Sequence, residues 1–161
     1  MEPIRVNMGE YQVEHNPAIL TCVGLGSCVG VVLYDAIKKL GGLAHVMLPK
    51  QCEAKNQSPS ARFADTAIEL LLKEMGNRGS TLRNVKAKIF GGANMFPDIV
   101  RPNTVMNVGE RNIRAVKEEL LKRKLEIIGE DLGGQWGRSI FFNIADGSVR
   151  VRNVLREEKL Y

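Results

Sequence analysis

Cys28 and His45 are the residues of this sequence whose types and setting could do covalent chemistry. Cys28 stands in "GLGSCVGVVL" (24–33), where glycines crowd a Ser-Cys pair ahead of a β-branched run. Gly24 and Gly26 allow a sharp bend and leave room for a substrate. N–H groups freed in such a turn can face a developing oxyanion. A thiol nucleophile needs a base. His45, in "GGLAHVMLP", is one of two histidines in the chain. An antiparallel hairpin through "YDAIKKLGG" would set the start of Cys28's strand beside the end of His45's. Plainer readings compete: a strand cysteine that only packs, and a histidine satisfied inside a core. A phosphate-binding reading fails, because the third glycine falls one place late for GxGxxG, at Gly30, and a strand comes next instead of a helix.

Local patterning sets out the elements that must position these groups. "AILTCV" (18–23), "CVGVVLYD" (28–35) and "GGLAHVML" (41–48) are short apolar runs bounded by Gly, Pro or Asp, the pattern of strands. Phe63, Ala67, Leu71 and Met75, with Ile68 and Leu72 alongside, predict a helix over 62–75. Ile113, Val116, Leu120 and Leu121 predict a second over 108–122, capped by Asn107 with Glu110 three residues on. "KAKIFGG" (86–92), "LEIIGEDLGG", "RSIFFNI" and "SVRVRNV" read as strands, the last two joined at "ADGS". Strands outnumber helices and come in runs. The fold class expected is α/β of the α+β type: a mixed, largely antiparallel β-sandwich flanked by helices, and not a doubly wound parallel sheet. "PKQCEAKNQSPS" (49–60) reads as a mobile flap.

Composition narrows the function. At 161 residues, 44% hydrophobic and 25% charged, the chain predicts one soluble domain over 1–161. No apolar stretch is long enough to span a bilayer, and the N-terminus lacks the apolar core of a secretory signal, so a cytoplasmic protein without membrane insertion is expected. Three cysteines without CxxC pairing, and two histidines, argue for free thiols and against a metal site. The net charge of +5 is diffuse, in "KRK" (122–124) and "VRVRNVLREEK" (149–159). Aromatic residues do not interleave with it, so a nucleic-acid partner is not expected. The basic residues form a solvated face or attract an acidic protein partner.

"GLGSCVGVVLYD", "GGLAHVMLP", "KIFGGANMF", "NVGERN" and "GGQWGRSIFFN", in this order, closely resemble CheD, the chemoreceptor glutamine deamidase family of bacterial and archaeal chemotaxis. The resemblance runs from "MGEYQV" to the final strand. It implies a fold similar to the catalytic domain of cytotoxic necrotizing factor and a thiol-dependent amidohydrolase without cofactor or metal. Cys28 would be the nucleophile and His45 the general base. Chemoreceptor cytoplasmic helices would be the substrate, with a CheC-type phosphatase as a further partner. A binding module with secondary catalysis and a thiol transamidase are the alternatives. The resemblance also implies a threonine six residues before the nucleophile, orienting the histidine. That place is Cys22 here, with Thr21 one residue further away, so a bulge in "TCVG" is expected to bring Thr21 to the site as third member. Around the thiol, Gly26 and Ser27 would supply oxyanion donors, and Gly91, Gly92 and Asn94 a cleft wall. Met95 and Phe96 would be exposed anchors for a partner, against the reading of "FGGANMF" as a packed turn. In "GGQWGRS", Gln135 and Arg138 are expected near the site and Trp136 in ordinary packing.

Overall fold

The structure is a computed structural model that describes residues 1–50, 60–96 and 107–161. Cys52 and residues 51–59 of the expected flap lie outside the described residues. The elements, in chain order, are β1 (Ile4–Arg5), β2 (Tyr11–His15), β3 (Ile19–Leu25), β4 (Val29–Asp35), β5 (Leu40–Val46), α1 (Ala64–Asn77), β6 (Val85–Gly91), α2 (Val108–Lys122), β7 (Ile127–Leu132), β8 (Arg138–Asn143), β9 (Val149–Asn153) and β10 (Glu158–Leu160). They build two five-stranded sheets, ordered β1-β3-β8-β9-β10 and β2-β5-β4-β6-β7. Among the described strands, only β1–β3 and β6–β7 pair in parallel. The mixed, largely antiparallel α+β expectation therefore holds. β1, β2 and β10 were not anticipated from the sequence; two of them are only two or three residues long.

Two cores separate three layers. Leu20, Cys22, Leu25, Val32, Leu43, Phe90, Ile140 and Phe142 pack between the sheets. Val29, Val31, Leu33, Ala44, Val46 and Ile89 pack on the other face of the second sheet, under α1 and α2. This is why "VGVVLYD" reads as a continuous apolar run: β4 is central in its sheet and buried on both faces. Gly41 lets the ring of Phe142 pass, since a Cβ there would sit 2.5 Å from Phe142 Cζ. Phe142 meets Tyr34 edge-on, with ring centroids 5.7 Å apart.

The helices match their patterns with two corrections. α1 begins at Ala64, with Phe63 as its cap, and Leu121 on α2 is 78% exposed. The buried stripe of α2 instead runs Gly109, Asn112, Val116, Leu120, a spacing that includes a polar residue. Asn107 caps the helix as expected, accepting from the Glu110 N–H at 2.9 Å.

Phe142→Ala is expected to lower stability by about 3–5 kcal/mol, because it removes a fully buried ring from the inter-sheet core. Denaturant unfolding measures it; a loss below about 1 kcal/mol would contradict this packing.

Candidate active site

β3 belongs to one sheet and β4 to the other, so the chain crosses between layers at Gly26–Cys28. β4 and β5 then run antiparallel, with Val29 opposite Val46 and Gly30 opposite His45. Leu43 packs between the sheets while Ala44 and Val46 pack under the helices. Alternation therefore turns His45 toward the inter-sheet layer. Cys28 shares the parity of Gly30 and packs against the same core. It stands one residue before the Val29–Val46 rung, on the end of β4 that lies beside the His45 end of β5. His45 is 4% exposed, and Cys28 is half-buried at the rim.

His45 is gripped by the N-terminal segment. Its N–H donates to the Glu10 carbonyl and its carbonyl accepts from the Gly9 N–H, both at 3.0 Å. Its ring Nδ1 lies 3.1 Å from the Val6 carbonyl oxygen. A carbonyl can only accept, so in the neutral ring Nδ1 carries the proton and Nε2 is left as the basic nitrogen. The Val6 N–H in turn donates to the Thr21 carbonyl at 2.8 Å.

The expected third member of the site needs correction. The bulge exists: Cys22 pairs with Ile140 and Leu25 with Arg138, so Val23 and Gly24 together face Ser139. It does not turn Thr21 to the face that His45 shares. Leu20 and Cys22 point into the inter-sheet core, and Thr21 points the other way, its hydroxyl donating to the Ile140 carbonyl at 2.7 Å. The group that bonds the imidazole is the Val6 carbonyl.

The turn around Cys28 is held by backbone bonds. Gly92 N–H donates to the Cys28 carbonyl and Ala93 N–H to the Gly26 carbonyl, each at 2.8 Å. Gly91, at φ +105°, must be glycine, because a Cβ would lie 2.3 Å from the Cys28 carbonyl oxygen. Asn94 donates its N–H to the Gly134 carbonyl. The N–H groups of Gly92, Ala93 and Asn94 are thus committed to carbonyls. Those of Gly26, Ser27 and Cys28 donate to no backbone acceptor among the described residues. Met95 lies over Gly26, and Met95 and Phe96 are exposed, at 43% and 69%. Trp136 is 66% exposed instead of packed. Arg138 is buried and bonded to the Asp131 carboxylate at 2.6 Å and to the Gly133 and Trp136 carbonyls, so it braces its loop. Gln135 lines an open cavity of about 300 Å³ with Trp136, Asn153 and Glu158.

Burial pushes the Cys28 thiol up from its ordinary value and, more strongly, that of Cys22. It holds His45 below the ordinary imidazole value, which the bond to Val6 and the charge of Glu10 oppose only in part. Both groups are neutral at rest near pH 7: a protonated thiol and an imidazole able to take its proton.

A model of the family described as CheD chemotactic sensory transduction matches residues 47–153. A probable chemoreceptor glutamine deamidase CheD of Caldanaerobacter subterraneus is 44% identical over 151 residues, covering 94% of this chain and 93% of its own. The protein of that name from Thermococcus kodakarensis is 40% identical over 94% of this chain and 92% of its own. That of Pyrococcus horikoshii is 38% identical over the full length of both. The chain belongs to the CheD family. Among the described residues of this CheD-family chain, no helix is long and apolar enough to cross a membrane.

Two groups in this CheD-family site went unread in the sequence. Val6 acts through its carbonyl, which no side chain advertises. Asn112 is 0% exposed and donates from Nδ2 to the Ser27 carbonyl at 3.0 Å and the Met47 carbonyl at 2.9 Å. Its spacing of four from Val116, on the apolar stripe, was the available signal.

In the folded protein, iodoacetamide is expected to modify Cys28 and spare Cys22, with the Cys28 rate rising toward a midpoint above 9.0. Peptide mass mapping across a pH series checks it. A midpoint in the acid range would mean a thiolate–imidazolium pair at rest.

Proposed function

We propose that this protein hydrolyses the side-chain amides of glutamines in the cytoplasmic helices of chemoreceptors, converting them to glutamates. The observation that supports the reading is a half-buried rim thiol, Cys28, directly before the strand that pairs with His45's, and a buried imidazole whose Nδ1 lies 3.1 Å from the Val6 carbonyl oxygen. The names of the relatives supply the substrate class.

His45 Nε2 takes the thiol proton as the Cys28 sulfur attacks the carboxamide carbon. Transfer accompanies attack, because burial disfavours both ions of a resting pair. The oxyanion forms beside the uncommitted N–H groups of Gly26, Ser27 and Cys28, each such donor lowering the barrier by about 3–4 kcal/mol. The imidazolium returns its proton to the departing ammonia, leaving a γ-glutamyl thioester. Water, deprotonated by His45, attacks the thioester and releases glutamate, and the proton returns to sulfur. The chemistry uses no cofactor. The new carboxylate is a methyl acceptor, which ties the reaction to sensory adaptation. Gly91, Gly92 and Asn94 shape the wall beside the thiol. Met95 and Phe96 offer an apolar contact to the receptor or to a CheC-type phosphatase.

Ammonia release and mass mapping of a receptor cytoplasmic fragment test the chemistry. Cys28→Ala should abolish turnover, while Cys22→Ala and Cys52→Ala retain it. His45→Ala should cost about 10²–10⁴-fold. Thr21→Val should leave kcat nearly unchanged, since its hydroxyl serves Ile140. The reactive imidazole is the neutral one, so kcat/KM should fall as pH drops through a midpoint below the ordinary imidazole value and stay level through neutral pH. Full activity of Cys28→Ala would end the proposal.

A separate measurement addresses the rim. Phe96→Ala should weaken receptor or CheC-type binding by about 2 kcal/mol with the melting temperature unchanged. An early-melting variant with intact binding would assign Phe96 to packing.

A further inference from the structure

The last rung of the β4–β5 ladder is Val29–Val46. Beyond it the strands separate, and the carbonyls of Ser27 and Met47 lose ladder partners at the point where Cys28 and His45 must stay in register. Asn112 closes this gap. Its amide nitrogen carries two N–H groups, and each is spent on one of those carbonyls. One side chain on α2 therefore ties the residue before Cys28 to the residue two beyond His45.

The local sequence is arranged for that approach. Asn107 caps α2, and Gly109 lets the first turn press onto the strand end, since a Cβ there would lie 2.5 Å from the Gly92 and Ala93 carbonyl oxygens. Three residues on, Asn112 faces the turn. It carries two penalties there: asparagine is a weak helix former, and its Oδ1 is buried with no hydrogen-bond partner among the described residues. A purely apolar stripe would place leucine at this position. A hydroxyl has one proton to give, and a carboxylate would turn acceptors toward acceptors.

We infer that Asn112 is a positioning residue for the reaction, holding the Cys28 turn and the end of the His45 strand at attack distance by bridging the Ser27 and Met47 carbonyls. This rests on the Cys28–His45 reading. Asn112→Leu removes both donors at similar volume, and Asn112→Ser keeps a single donor. Each variant is assayed as kcat and KM for ammonia release from a receptor cytoplasmic fragment, per thiol site titrated, beside Cys28→Ala and His45→Ala. The Cys28 alkylation rate at fixed pH is read in parallel.

The expected result is a kcat per titrated site about 10²-fold lower in Asn112→Leu, the scale of an ångström-sized misplacement. Asn112→Ser should lie between it and wild type, with KM unchanged in both. Cys28 alkylation in Asn112→Leu should match that of His45→Ala. If Asn112→Leu does not fold, the Ser variant decides alone through the same two readouts. A lowered melting temperature with wild-type kcat per titrated site would reduce Asn112 to a structural brace and overturn the assignment. That outcome, with Cys28→Ala inactive, leaves the thiol mechanism standing. Activity in Cys28→Ala would remove the mechanism and this role together.

Discussion

A buried imidazole can act as a base only if it is neutral and offers its free lone pair to the thiol. Burial secures the first condition by disfavouring the charged ring. The hydrogen bond from Nδ1 to the Val6 carbonyl secures the second, since an acceptor on one side of the ring fixes which nitrogen holds the proton. The remaining construction serves that bond. β1 is laid along β3 so that the Val6 N–H reaches the Thr21 carbonyl, and the Gly9–Glu10 turn grips the backbone of His45 from the other side. Two layers are thereby pinned together at a single ring.

The thiol is mounted by a different device. Cys28 sits where the chain passes from one sheet to the other, a place with no ladder of its own. Glycines at 91 and 109 admit backbone where side chains would collide, and the freed carbonyls are taken by Gly92, Ala93 and Asn112. The acceptors of the turn are satisfied, while the N–H groups at its tip have no backbone partner among the described residues. That asymmetry is what a site built to receive negative charge requires.

The periodicities of the chain carried most of the architecture. β4, β5 and α2 announce themselves through β-branched runs and a capped apolar stripe, and a short connection dictates how the two strands pair. Cys28 and His45 were legible because thiol and imidazole are rare types in a recognisable order of motifs. The imidazole's partner was not, because a main-chain carbonyl has no residue identity. The Thr21 expectation placed the bulge correctly but not the face that the threonine takes. The bulge brings Leu25 to the same core as Cys22, and Thr21, which alternates with Cys22, keeps the opposite face. β1 and β10 are too short for any alternation to register. Trp136 read as packing because large aromatics usually bury, whereas here the tight loop braced by Arg138 lifts it outward.

Placing the imidazole's partner in the main chain has a consequence for how such a site can be broken. Val6 is itself a buried core residue, so a side-chain scan there reports lost packing and says nothing of the oxygen. What the site cannot absorb is displacement. β1 has two residues, both exposed, and pairs on one side only, with β3. On the proposed mechanism, a cut at this edge, or a bulky fusion pulling on it, would loosen the partner of the imidazole without touching the thiol. The first strand would then be a mechanical tether on the imidazole, and slack at the margin of the molecule would cost turnover.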